Sequence, residues 1–250
     1  MRPRENVVVV GATSTIGSAL TESLAATGKF LVLAGGRLPG LTDVAGRLPS
    51  GSVLDVIPGD FRVADDVESC RRRILDQERV DGFVFLSSEL RTGAVSSFRT
   101  GELREVYEVN VFAAFVLAQA SLARSVPGSS FVFVSSIDAH RHPSGIPSVA
   151  YDGSKAALES LAQSIAVECG AQGIRSNCVV PGLIRTAMTE GFFSSEFDDA
   201  RAAFLHSIPL RRPGLPEEVA ALIRFLLSTE AGYISGAIIP IDGGFLSAGV

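Results

Sequence analysis

"VVVVGATSTIG", residues 7 to 17, sets four valines against a turn that begins and ends in glycine and then opens into a stretch of helical period. Consecutive valines are apolar on both faces and stiff at the β-carbon, which suits a strand buried inside a parallel sheet. Gly11 and Gly17 allow a tight turn and let an anion approach the free N–H groups of a helix N-terminus. Strand, glycine turn and helix in this order open a βαβ unit. Whether the turn holds a pyrophosphate or only reverses the chain depends on its context.

That context repeats along the chain. Apolar runs recur at Val7 to Val10, Leu31 to Ala34, Val53 to Ile57, Phe83 to Leu86, Phe131 to Val134, Cys178 to Val180 and Ala237 to Ile241. Stretches of helical period fall between them at Ile16 to Thr27, Ala64 to Arg79, Glu102 to Arg124, Ser154 to Gly170 and Pro216 to Ser228. Strict alternation predicts a doubly wound α/β fold of Rossmann type: one parallel sheet with helices on both faces, in a single domain over residues 1 to 250. Pro240 removes a ladder donor from the last run, which places that strand at the sheet edge. Ligands of such sheets sit beyond the carboxyl ends of the strands, so function is sought in the segments that follow each run.

Composition narrows the partners. The 250 residues carry a net charge of -5 and no run of Lys or Arg, which argues against nucleic acid or an anionic membrane and for a small molecule. No stretch approaches the roughly 20 apolar residues that span a bilayer. Cys70, Cys169 and Cys178 are odd in number and scattered, so they read as buried thiols in a reducing, cytoplasmic compartment, and no metal site is expected.

Two further segments carry chemistry. After the second run comes "AGGRLPG", residues 34 to 40, with Arg37 and no acid before Asp43. A carboxylate there would bind the ribose hydroxyls of NAD, whereas an arginine meets the 2'-phosphate of NADP. A charge-assisted contact of about 1.5–3 kcal/mol favours NADP(H) over NAD(H) by roughly ten-fold to a hundred-fold, unless Arg37 is merely a solvated loop residue. "YDGSK", residues 151 to 155, puts Tyr151 and Lys155 four apart on one helix face. A cation within about 4–6 Å would lower the phenol pKa, so the pair suits proton transfer; the plain alternative is a surface pair worth about 0.3–0.5 kcal/mol.

With "GDF" at 59 to 61, "VN" at 109 to 110, "VSS" at 134 to 136, "PGLIRT" at 181 to 186 and "IDGG" at 241 to 244 in the same order, the chain resembles the short-chain dehydrogenase/reductase family, and its NADP(H)-dependent ketoreductases in particular. The resemblance implies a catalytic set of Asn110, Ser136, Tyr151 and Lys155. Tyr151 would transfer the substrate proton, Ser136 would hydrogen-bond the carbonyl oxygen, and Asn110 would hold a water behind Lys155, which would also bind the nicotinamide ribose; Ser135 stands in if the register is shifted by one. Cofactor contacts would come from Gly11, Ser14, Thr15, Ile16, Gly17, Arg37, Asp60, Phe61, Ser87, Lys155, Pro181, Gly182, Ile184 and Thr186. It also implies a homo-oligomer, tetramer or dimer; the apolar stretch from Phe112 to Leu122 is compatible with such a contact or else belongs to the core.

Departures from the family pattern are specific. Thr15 replaces the middle glycine of the turn, and its hydroxyl is a candidate phosphate donor. Phe85, Leu86, Ser87 and Ser88 stand where the family has Asn-Asn-Ala-Gly, which removes amides that steady the sheet and the cofactor edge. Ser14 replaces the basic residue that many NADP-linked relatives carry in the turn, leaving Arg37 as the basis of the NADP(H) assignment. His140 and His142 lie in the loop before Tyr151, facing substrate or solvent. Residues 187 to 212 fall where the family has a variable substrate lid. There Phe192, Phe193, Phe197 and Phe204 either line a pocket for an apolar ketone or pack the lid, and Arg211 and Arg212 either meet an anion or face water. The sequence therefore predicts an NADP(H)-dependent oxidoreductase acting on a small carbonyl or secondary alcohol. Its rivals are a nucleotide-binding or redox-sensing scaffold without turnover and a dehydratase or isomerase on the same fold.

Overall fold

Valines 7 to 10 form an interior strand of the sheet, and their alternating side chains can be covered on both faces only by two layers of helices. The computed structural model describes residues 5–141 and 147–248. It contains seven parallel strands, β1 (Asn6–Val10), β2 (Phe30–Ala34), β3 (Val53–Ile57), β4 (Val80–Phe85), β5 (Ser125–Val134), β6 (Arg175–Pro181) and β7 (Ile238–Ile241), in the order β3-β2-β1-β4-β5-β6-β7. Val8 and Val10 join Val32, Phe83, Phe85, Phe131 and Phe133 in one core, while Val7 and Val9 join Leu31, Leu33, Val84, Val132 and Val179 in the other. This is the doubly wound sheet that the alternation predicts.

Helices α1 (Thr15–Ala26), α2 (Leu38–Gly46), α3 (Ala64–Leu75), α4 (Thr100–Tyr107), α5 (Ala113–Leu122), α6 (Val149–Cys169), α7 (Asp198–Ser207) and α8 (Pro216–Leu227) complete the layers. The first core also holds Ile74, Leu117 and Leu158 from α3, α5 and α6, and the second holds Leu20, Leu41 and Ile223 from α1, α2 and α8. Pro240 pairs with Val180 on the edge strand β7, where one missing N–H is tolerated.

Three differences from the sequence expectation bear on the site. α6 begins at Val149 rather than Ser154, so Tyr151 lies inside its first turn and shares the helix with Lys155. The expected helix from Glu102 to Arg124 is divided by a π-turn at Glu108–Phe112, whose extra residue lets Asn110 face inward. α2 escapes the periodicity because Pro39 and Gly40 lie within its first turn, where proline is tolerated.

The strand order reverses between β1 and its two neighbours, β2 and β4, which opens a crevice at their carboxyl ends. Two glycines make the crevice possible. Gly11 has φ +89°, and a β-carbon there would lie 2.7 Å from the Ser87 nitrogen; one on Gly17 would lie 2.3 Å from the Gly11 carbonyl oxygen. Gly11→Ala is expected to cost about 1–3 kcal/mol in urea unfolding. Gly28→Ala, with φ +79° but no neighbour within 4 Å, is expected to cost less, the difference measuring the close approach rather than the backbone angle.

Candidate active site

The glycine turn is built from its own polar groups. Ser14 caps α1 by accepting from Gly17 N at 3.0 Å and donating to the Gly11 carbonyl at 2.8 Å, so its hydroxyl is committed within the turn. Thr15 Oγ1 accepts from Ala187 N at 3.2 Å and ties the turn to the segment after β6, while its proton remains free to donate. A cleft of about 700 Å³ runs from this turn past Gly36, Arg37, Asp60, Phe61, Ser87 and Met188. The buried ring of Phe61 lies under Gly35, where a β-carbon would come within 2.8 Å of it. Asp60 is held by Arg62 at 2.6 Å, which with the nearby Arg37 charge draws its carboxyl below the usual range.

A second cavity, of about 200 Å³, shares Ser14, Leu86, Ser88 and Met188 with that cleft and adds Thr15, Ile16, Tyr151, Lys155, Pro181, Gly182, Ile184 and Thr186. A third, of about 260 Å³, lies beneath residues 187 to 212 and is lined by Ile137, Asp138, Leu183, Met188, Phe192 and Phe204 among others. Met188 borders all three. The aligned residues Pro181, Gly182, Ile184 and Thr186 are fixed by local packing: Gly182 N donates to the Ile241 carbonyl at 3.0 Å, Ile184 is buried, and Thr186 N donates to Thr189 Oγ1 at 3.0 Å.

Tyr151 and Lys155 are buried at 8% and 2% exposure on one face of α6. Burial pushes the Tyr151 phenol up to about 12, aided by the charges of Asp138 and Asp152 and opposed by the hydroxyls of Ser136 and Ser88. The net direction is opposite to what the Tyr151–Lys155 spacing predicts. Lys155 Nζ donates instead to the Val134 carbonyl at 2.9 Å and stands 5.4 Å from the centre of the tyrosine ring, and burial lowers its own pKa to about 8. Ser136 is the serine beside the phenol; it accepts from Asp138 N at 3.2 Å, which leaves its proton to donate. Ser135 turns away to Glu159 at 2.7 Å, and the same carboxylate meets His140 at 2.9 Å. His142 lies outside the described residues.

Asn110 is fully buried, and its side chain is engaged by protein. Its Oδ1 accepts from Glu89 N at 2.7 Å, and its Nδ2 donates to the Glu89 carbonyl at 3.0 Å and to Ser154 Oγ at 2.9 Å. These bonds steady the segment after β4, which lacks the amides expected there. Near the edge of the site, Phe192 packs on Phe193, Phe197 and Phe204, while Phe192 and Phe204 also line the third cavity. Arg212 is paired with Glu218 at 2.6 Å, and that pairing draws the Glu218 carboxyl down to about 2. Asp138, Met188 and Ser88 were not singled out as site residues from the sequence; of these only Ser88 left a signal, as the glycine position of a segment read for the amides lost at Phe85 and Leu86 rather than for the hydroxyl gained at Ser88. Among the described residues no His, Cys, Asp and Glu cluster could hold a metal, and no helix is long and apolar enough to cross a membrane.

This fold and cleft define a class, and comparison with known proteins names it: the chain belongs to the short-chain dehydrogenase/reductase family and is an oxidoreductase of that type. The family model described as enoyl-(acyl carrier protein) reductase matches residues 11–246. The chain is 33% identical over 253 residues to 2,3-dihydro-2,3-dihydroxybenzoate dehydrogenase of Escherichia coli K12, covering 96% of each. It is 30% identical over 246 residues to 7alpha-hydroxysteroid dehydrogenase of Clostridium sardiniense, covering 95% and 92%. A solved structure from Agrobacterium tumefaciens, proposed to be a 2-deoxy-d-gluconate 3-dehydrogenase and holding NADP, superposes with a TM-score of 0.86 at 28% identity, covering 97% and 96%.

Asn110→Ala leaves both backbone groups of Glu89 without their partner. It is expected to destabilise the protein by about 1–3 kcal/mol in urea unfolding.

Proposed function

We propose that the protein is an NADP(H)-preferring reductase that interconverts a carbonyl and a secondary alcohol of a small, partly apolar molecule. The observation that carries this reading is the meeting of Tyr151 and Lys155, with Ser136 beside the phenol, in the cavity that shares Met188 with both the long cleft and the apolar cavity. The residues fit a dinucleotide: the glycine cradle at Gly11 and Gly17 leaves no room for a β-carbon, and the 700 Å³ cleft is lined from Arg37 to Ser88 and Met188, which also line the cavity of Tyr151. Gly11, Thr15, Ile16 and Gly17 would hold the pyrophosphate, with Ser14 shaping the turn. Asp60, Phe61 and Ser87 would line the adenosine end, and Lys155, Pro181, Gly182, Ile184 and Thr186 the nicotinamide end. When bound, the nicotinamide supplies or accepts the hydride.

Arg37 supports NADP(H). It lines the cleft and makes no ion pair among the described residues, while Asp60, which would repel a phosphate, is neutralised by Arg62. The NADP-bound structural relative is consistent with this. A phenol with its pKa near 12 stays protonated at neutral pH and suits delivery of a proton to a carbonyl oxygen that Ser136 holds in place. Lys155 is mainly charged at pH 7 with its pKa near 8 and would stabilise the phenolate left behind. A cavity of about 260 Å³, just under the roughly 300–1,000 Å³ of drug-sized ligand sites, suits a small substrate under a lid spanning residues 187 to 212. The exposed rings of Phe112 and Phe115 suit a homo-oligomeric contact, and three free cysteines suit a reducing, cytoplasmic compartment.

Calorimetry at one fixed salt concentration is expected to give tighter binding of NADPH than NADH, with the difference lost in Arg37→Ala; tighter NADH binding in the parent protein overturns the cofactor assignment. Tyr151→Phe is expected to bind cofactor within a few-fold of the parent yet lose nearly all ketone reduction, and retained turnover would refute the proton-transfer role. The kcat/KM for reduction is expected to fall as pH rises through about 8, where Lys155 loses its charge.

A further inference from the structure

Ser88 combines four properties that no structural role in the fold explains. Its hydroxyl oxygen is buried and makes no well-formed hydrogen bond within the protein. The residue borders both the long cleft and the cavity that contains Tyr151 and Lys155. It shares that second cavity with Tyr151, and its hydroxyl, like that of Ser136, works to lower the phenol pKa. Its backbone is also held unusually firmly on both sides. Leu86 N donates to the Val10 carbonyl at 2.8 Å, and both backbone groups of Glu89 bond to the Asn110 amide. The same amide reaches Ser154 Oγ, which donates to the Tyr151 carbonyl at 2.6 Å. One frame of hydrogen bonds therefore fixes Ser88 and Tyr151 relative to each other, and a buried hydroxyl so placed is costly unless it donates to something in the cavity.

We propose that Ser88 is a positioning residue for the acid–base step, donating its hydroxyl hydrogen to the Tyr151 phenol oxygen alongside Ser136. The inference rests on Tyr151 being the proton-transfer group. A donor to that oxygen favours the phenolate over the phenol, because a hydrogen bond to a charged acceptor is stronger than one to a neutral acceptor. In alcohol oxidation the phenolate takes the hydroxyl proton of the substrate. In ketone reduction it remains after the phenol has given its proton to the carbonyl oxygen. Burial and the charges of Asp138 and Asp152 work against the phenolate in both directions, and the two serine hydroxyls offset them. Where the family pattern has a glycine, this chain thus adds a hydrogen-bond donor beside the proton-transfer group.

The test is the pH profile of NADP-dependent oxidation for a panel of cyclic and benzylic secondary alcohols, in the parent, Ser88→Ala, Ser88→Gly, Ser88→Thr and Tyr151→Phe. Loss of the hydroxyl in Ser88→Ala and Ser88→Gly is expected to move the rising limb of kcat/KM up by about one pH unit, making oxidation at pH 7 about ten-fold slower, with NADPH affinity within two-fold of the parent. Ser88→Thr, which keeps a hydroxyl, is expected to restore the parent profile. An unchanged profile in both Ser88→Ala and Ser88→Gly, or a loss confined to cofactor affinity, overturns the proposal while a dead Tyr151→Phe leaves the reading of Tyr151 intact. Turnover retained in Tyr151→Phe overturns both. If no alcohol in the panel reacts, the carbon-13 signal of the Tyr151 ring carbon bonded to oxygen is titrated directly. It should ionise at higher pH in Ser88→Ala than in the parent, and equal midpoints refute the assignment.

Discussion

A single buried amide, Asn110, holds the working end of this molecule together. It sits in a π-turn between α4 and α5, where the Ala113 N–H reaches back five residues to the Glu108 carbonyl. Its side chain uses both donors and one acceptor on Glu89 and Ser154. Buried primary amides carry a large desolvation cost unless their polar atoms are matched, and here the match spans the segment after β4, the π-turn and the first half of α6. The loop that borders the long cleft and the helix that bears Tyr151 are thereby fixed to one another. The missing Asn-Asn-Ala-Gly segment does not leave this edge of the sheet loose, because the segment after β4 is held through its backbone instead of through its own side chains.

The electrostatics of the site follow from burial rather than from the Tyr151–Lys155 spacing. Desolvation acts against charge on either residue, so it raises the phenol and lowers the ammonium, to about 12 and about 8 respectively. Lys155 is anchored by the Val134 carbonyl at the end of β5, and its distance from the ring leaves the serine hydroxyls as the leading groups that favour a phenolate. Asp138 lines the apolar cavity and acts on both residues, raising the pKa of each. Substrate cavity and proton-transfer groups therefore share one electrostatic environment.

Much of the architecture was legible because it depends on local, repeating signals. Apolar runs such as Val7 to Val10 marked all seven strands, since a strand buried on both faces has no polar position to hide, and Pro240 identified an edge because a missing donor is tolerable only there. Helices were less distinct where local chemistry and tertiary packing disagree. α2 carries Pro39 and Gly40, and the division of α4 from α5 comes from a contact with Glu89, 21 residues away from Asn110.

For the site, the sequence determined which chemical groups were available and the order in which they occur: the glycine turn, Arg37, Asn110, Ser136, Tyr151 and Lys155 could each be named from spacing and family resemblance. Tertiary structure alone decided what each group touches. It turned Ser135 toward Glu159 and Ser136 toward the phenol, engaged Ser14 within its own turn, paired Arg212 with Glu218, and brought Ser88 beside Tyr151. The physical reason is that a motif records neighbours along the chain, whereas burial and hydrogen bonding are properties of neighbours in space. The pKa of Tyr151 is set by groups on three separate segments, and no single stretch of sequence contains them all.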